Sequence, residues 1–165
     1  MDDPCALSAK PAARFLSAQV TAAPIAAWLP LLRESLVREG CFRWPLRGTS
    51  MTPTLPPDCE VEIIPLPPAV PLGALIVFGD GDALIVHRLV RRAAGRWITQ
   101  GDGRLGPDRP LAPEQVLGMV VAAYRTGRRC WPTPLVRVAI PLWLARHQLL
   151  RVLRYGWRLI RRWRS

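Results

Sequence analysis

Ser50, His87 and the aspartates Asp102 and Asp108 are the residues whose chemistry can combine in this sequence. A serine hydroxyl becomes a useful nucleophile when a base within hydrogen-bonding reach takes its proton and a third group orients that base. Only two histidines exist, His87 and His147. His87 lies in the apolar run "LIVHRLV", whereas His147 belongs to a basic C-terminal segment, so a histidine base for Ser50 would be His87. The orienting carboxylate would come from "TQGDGRLGPD", which offers both Asp102 and Asp108. Ser50 itself sits in "RGTSMTPTLPPDCEVEI", where a Gly-Thr turn runs into a Pro-rich corner and then an alternating strand. Taken singly, each element has a plain structural explanation, because turn chemistry accounts for a Gly-Thr-Ser corner and for Gly-Asp-Gly. Cys59, another nucleophile by type, opens the alternating strand with no base nearby in sequence and reads as structural.

The elements that must position these groups follow from periodicity. From about Ala26 to Glu39 the apolar residues Trp28, Leu31, Leu32, Leu36 and Val37 recur at helical spacing, and Gly40 is a natural stop. Beyond it the period falls to two. Cys59–Ile63 alternates, the apolar runs Ala74–Phe78 and Ala83–Val90 flank "GDGD" as a hairpin, and Trp97–Gln100 and Val116–Arg125 supply two more strands. The fold class expected is mainly β: a small antiparallel β-domain with an N-terminal helix and a C-terminal amphipathic helix. Residues 1–22 read as a loose arm, 23–125 as the domain with its leading helix, and 126–165 as a basic tail.

Composition bounds the reading. The chain has 165 residues, half of them hydrophobic and 18 of them proline, which suits one domain of short strands and turns better than a helical bundle or a disordered chain. The net charge of +11 is a tail property: residues 1–124 hold 12 basic and 12 acidic residues, while 125–165 hold 11 arginines and no acid. Cys5, Cys41, Cys59 and Cys130 are widely spaced, without a CxxC pair or a histidine cluster, so neither a metal site nor a disulfide framework is expected and reduced thiols are the default. No cofactor is expected. The N-terminus lacks the basic region and continuous apolar core of a cleaved signal sequence. Residues 15–32 carry no charge but are interrupted by Pro24 and Pro30, which makes them a poor membrane span.

In order and wording, the motifs resemble a known family. "GTSMTPTL" resembles the catalytic-serine box of type I signal peptidases and of the related LexA-type self-cleaving proteins; "PLGALIVFGDGDALIVHRLV" is similar to the family's hairpin, and "WITQGDGRLGPD" with "VLGMVV" to its closing strands. The resemblance covers Leu46 to Arg125. The bacterial and LexA-type members use a Ser-Lys dyad with the lysine downstream of the serine. Here the only lysine is Lys10, upstream, so the resemblance is to the endoplasmic-reticulum and archaeal branch, in which histidine replaces lysine. That branch places an Asp six residues beyond the Gly-Asp, which implies Asp108 as the acid and Asp102 as second choice. The implied activity is endoproteolysis of a leader or signal peptide through a Ser50 acyl-enzyme, with the substrate extended beside a strand. The resemblance also implies an oxyanion hole using Ser50 N–H and Thr49, since Gly48 replaces the family's serine two positions before the nucleophile, and substrate contacts at Met51 and Pro53. Two alternatives within the fold are self-cleavage, for which an Ala-rich stretch at 22–27 is available, and a catalytically inactive membrane-associated binding module.

The tail returns to helical period. Arg151, Arg154, Arg158, Arg161 and Arg162 share one face with His147, opposite Leu149, Leu153, Trp157, Ile160 and Trp163. Such a segment suits the plane of an anionic membrane, its Trp/Leu face inserted and its guanidiniums among phosphates. A helix simply docked on the β-domain is the plain alternative. Nucleic acid is the less fitting partner, since phosphate binding has no need of the large apolar face. The placement expected is cytoplasmic or peripheral to a membrane, with residues 15–32 the one candidate for integral insertion.

Overall fold

The computed structural model describes residues 25–132. The described chain runs α1 (Ile25–Glu39), β1 (Phe42–Pro45), β2 (Glu60–Ile64), β3 (Leu75–Asp80), β4 (Ala83–Ala93), β5 (Arg96–Gln100), β6 (Val116–Arg125) and β7 (Arg128–Trp131). All strand pairings are antiparallel, in the order β1-β2-β6-β3-β4-β5 with β7 added to β6. The mainly β class with one leading helix is therefore what the chain adopts. The expected C-terminal helix, and with it the tail residues Arg151, Arg154, Trp157, Arg158, Arg161, Arg162 and Trp163, lies outside the described residues, as does the whole of the arm at 1–22.

β6 is the hub. One of its edges carries β2, and the other carries β3 along its first half and β7 along its second. Its burial is near-continuous from Val116 to Tyr124, which departs from the alternation of a strand with a wet face. The helix lies on the sheet through Ile25, Leu29, Leu32 and Leu36, each at most 8% exposed. Gly79 on β3 and Gly118 on β6 admit it: a Cβ at Gly79 would lie 2.8 Å from Leu29 Cδ1, and one at Gly118 would lie 3.0 Å from Leu36 Cδ2. Arg33 fastens the same face by donating to the Glu114 and Val116 carbonyls. The expected apolar stripe is thus rotated. Leu31 and Val37 are exposed, because the stripe that meets the sheet is 25-29-32-36.

Three further expectations need correction. The β3–β4 connection is tighter than a four-residue loop, since Asp80 pairs with Ala83 and only Gly81 and Asp82 make the turn. The β-domain does not end at Arg125. Thr126 and Gly127 both have positive φ, the geometry of a two-residue type I′ turn, and return the chain along β6 as β7. Nor are all thiols reduced: Cys41 is disulfide-bonded, while Cys59 and Cys130 are free. Burial, with the nearby Cys130 adding to it, raises the Cys59 thiol to about 11, so it is inert at neutral pH. No helix among the described residues is long and apolar enough to cross a membrane. Residues 25–32 of the candidate span belong to α1, which contains Pro30.

Candidate active site

The nucleophile loop is an excursion between β1 and β2. Leu46 N–H donates to the Cys59 carbonyl at 2.7 Å and closes its base. Inside it Thr52 N–H donates to the Thr49 carbonyl at 3.0 Å and Leu55 N–H to the Met51 carbonyl at 3.0 Å. Met51 and Leu55, each 1% exposed, nail the loop to the core. Met51, expected to touch substrate, is therefore first a packing anchor, whereas Thr49 and Pro53 stand on the exposed side. Between these fixed points Ser50 is held half-buried, and its N–H meets no acceptor among the described residues.

His87 comes from β4 and is 1% exposed. Its ring meets Phe78 edge-on at 6.0 Å, and Ile76 is its cross-strand partner, so the imidazole is walled by apolar groups on one side. Its two nitrogens are both engaged. Nε2 lies 3.1 Å from Ser50 Oγ, and Nδ1 lies 2.6 Å from Asp108 Oδ2. Asp108 in turn accepts the Thr99 hydroxyl at 2.7 Å, and its N–H donates to the Thr99 carbonyl at 2.8 Å. Burial pushes the Asp108 carboxyl up, but hydrogen bonds from His87 and Thr99 and the positive charge nearby outweigh it, leaving the pKa below the ordinary carboxylate value. With Asp108 ionised, Nδ1 carries the proton and Nε2 is free to accept from Ser50.

Asp102 does different work. Arg88 Nε donates to its Oδ1 at 2.9 Å and Arg88 Nη2 to its Oδ2 at 2.5 Å, a bidentate pair with side chains 3% and 1% exposed. Arg88 also donates to the Gly73 carbonyl at 2.7 Å and reaches the Thr54 hydroxyl at 3.4 Å. One guanidinium thus ties the strand bearing His87 to the loop bearing Asp102 and to the nucleophile loop. Asp102→Ala would leave a buried cation without its carboxylate and is expected to cost about 3–5 kcal/mol. Urea unfolding would show this as a lower midpoint at unchanged slope; an unchanged midpoint would refute the clamp.

The loop from Gly101 to Asp108 closes on Ser50 from the other side. Gly103 N–H donates to the Ser50 carbonyl at 2.9 Å, and Arg104 N–H to the Gly101 carbonyl at 2.9 Å. Gly101 is required by close approach. A Cβ there would lie 2.6 Å from the Ser50 carbonyl oxygen and 2.9 Å from His87 Nε2. Gly101→Ala must therefore move the serine and histidine apart, and a displacement of about 1 Å is worth roughly a hundredfold in rate. The check is kcat on any cleaved peptide with folding confirmed by circular dichroism, and wild-type kcat would contradict it.

The structure therefore brings Ser50, His87 and Asp108 together and assigns Asp102 to Arg88. Thr99, Arg88, Gly101 and Thr54 were not singled out from the sequence, because each acts through contacts made only on folding. The nearest signal was "HR" on one strand and "GDG" in one loop, the two halves of the Arg88–Asp102 clamp. No group of three or more metal-ligating side chains occurs among the described residues. Compared with known proteins, the chain matches no family model and no curated sequence.

Proposed function

We propose that the protein is a serine endopeptidase working through Ser50, His87 and Asp108. The observation that supports this reading is the continuous chain from Ser50 Oγ to His87 Nε2 at 3.1 Å and from His87 Nδ1 to Asp108 Oδ2 at 2.6 Å. A structural serine has no need of a buried histidine aimed at its hydroxyl, nor of a carboxylate behind that histidine. Ser50 Oγ attacks the scissile carbonyl carbon while His87 Nε2 takes its proton, giving a tetrahedral oxyanion. The Ser50 N–H, with no acceptor among the described residues, is the donor available to that oxyanion, and the exposed Thr49 is its neighbour. The C–N bond then breaks as His87 passes its proton to the leaving amine. Water, deprotonated by His87, hydrolyses the acyl-enzyme and returns Ser50 to its starting state.

The signal-peptidase-like motifs of the sequence favour a leader or signal segment as substrate, and the basic tail favours a membrane surface as the place of work. A mixed leader-peptide library incubated with the full-length protein, with and without anionic liposomes and read by mass spectrometry, tests the proposal. Cleavage at one class of site supports it. A library left intact by folded protein under both conditions overturns it in favour of an inactive binding module.

A further inference from the structure

We propose that Thr99 is a positioning residue of the Ser50–His87–Asp108 array, fixing the direction in which the Asp108 carboxylate faces. The inference rests on the peptidase reading and goes beyond it, since nothing in that reading requires a second donor on the acid.

Thr99 lies on β5 and is wholly buried, 0% exposed. It pairs directly with Leu89, which is two residues along β4 from His87 and so on the same face of that strand. This register brings the threonine within hydrogen-bonding reach of Asp108, the histidine's partner. It holds Asp108 twice. The Thr99 carbonyl accepts the Asp108 N–H at 2.8 Å and fixes the main chain, while the Thr99 hydroxyl donates to Oδ2 at 2.7 Å and fixes the rotation of the carboxylate. The oxygen it chooses is the informative detail. Oδ2 is the same atom that faces His87 Nδ1 at 2.6 Å. Two donors converge on one oxygen, so its negative charge is stabilised where the imidazolium will form, and Oδ2 is a poor destination for the histidine's proton.

The choice of residue suits the task. A buried hydroxyl must find an acceptor, and a β-branched side chain on a strand has a restricted χ1, so the donor direction is set by the backbone. Serine could make the same bond with less restraint. Valine matches the shape but has no donor. The charged or titratable groups facing Asp108 are His87 from β4 and Arg104 from its own loop, and neither can replace a donor aimed from β5.

The test uses Thr99→Val and Thr99→Ser in the full-length protein, with circular dichroism confirming the fold. Losing a hydrogen bond to a charged group is expected to lower kcat about 10- to 100-fold for T99V. KM should be unchanged and T99S should recover most of the loss. A readout independent of turnover is the carboxyl 13C titration of Asp108 by NMR, whose midpoint should rise in T99V and return in T99S. Wild-type kcat together with an unmoved Asp108 titration in T99V would overturn the inference. If wild type cleaves nothing, the peptidase reading falls, and the titration alone still decides whether Thr99 governs Asp108.

Discussion

Ser50→Ala and His87→Ala should each lower kcat on a cleaved peptide by about a millionfold, and the double variant should lose no more than either single one. The reason is the 3.1 Å contact between Ser50 Oγ and His87 Nε2, which makes the two side chains one device. Without the hydroxyl nothing attacks, and without the imidazole the hydroxyl keeps its proton. Residual cleavage would come from binding and the oxyanion donor, which survive both changes. KM should change little, because neither group contributes strongly to ground-state binding. Kinetics of the three variants on one peptide provide the measurement. Losses that multiplied in the double variant would mean that Ser50 and His87 act separately, contrary to the geometry.

Asp108→Asn should lower kcat by about ten-thousandfold with KM nearly unchanged. Asparagine preserves the volume, but its amide can present a donor to Nδ1, which favours the tautomer with the proton on Nε2, where it cannot accept from Ser50. The same substitution has a signature in stability. In the folded protein the Asp108 pKa lies below its ordinary value, because the hydrogen bonds from His87 and Thr99 and the surrounding positive charge outweigh the effect of burial. A carboxylate so depressed contributes stability above its unfolded pKa, and the contribution is lost as pH falls through the folded value. The stability gap between wild type and D108N should therefore be full near neutrality and shrink in acid. Urea midpoints of the two proteins against pH would reveal this, and a gap that widened toward low pH would contradict the direction. By contrast, an Asp102→Asn variant should disturb stability before it disturbs the chemistry, since Asp102 faces Arg88.

Much of the molecule can be read from its residues, and the reasons for the gaps are physical. The strong signals were periodic. Alternation at 59–63 and the paired apolar runs around the Gly81–Asp82 turn correspond to β2, β3 and β4. β1 and β7 were invisible as strands because "FRWP" and "RRCW" are four residues each, one ending in proline and the other opening on two arginines. They are strands because β2 and β6 offer them edges, which no local pattern records. The helix was legible, but its buried face was not. Only the sheet beneath, opened at Gly79 and Gly118, decides that Leu29 faces inward and Leu31 outward.

The same division runs through the site. Scarcity selected His87, since only two histidines were available. The carboxylates Asp102 and Asp108 could not be separated by composition or turn chemistry. The resemblance preferred Asp108, and in the fold Asp108 is the one that meets His87, while Asp102 is held by the arginine next to that histidine in sequence. Gly101 illustrates the limit most plainly. In sequence it begins an ordinary turn, and its need to be glycine arises from a serine carbonyl that arrives from 51 residues upstream.

Trapping the acyl-enzyme tests the central claim most directly. Full-length protein would be mixed with a cleavable peptide or its activated ester, quenched in acid within the first turnovers, and weighed intact before the adduct is mapped by digestion. The expected result is a mass increment equal to the N-terminal cleavage product less one water, located on Ser50, absent in Ser50→Ala and suppressed in His87→Ala. Cleavage that proceeds without an adduct and survives Ser50→Ala would contradict it.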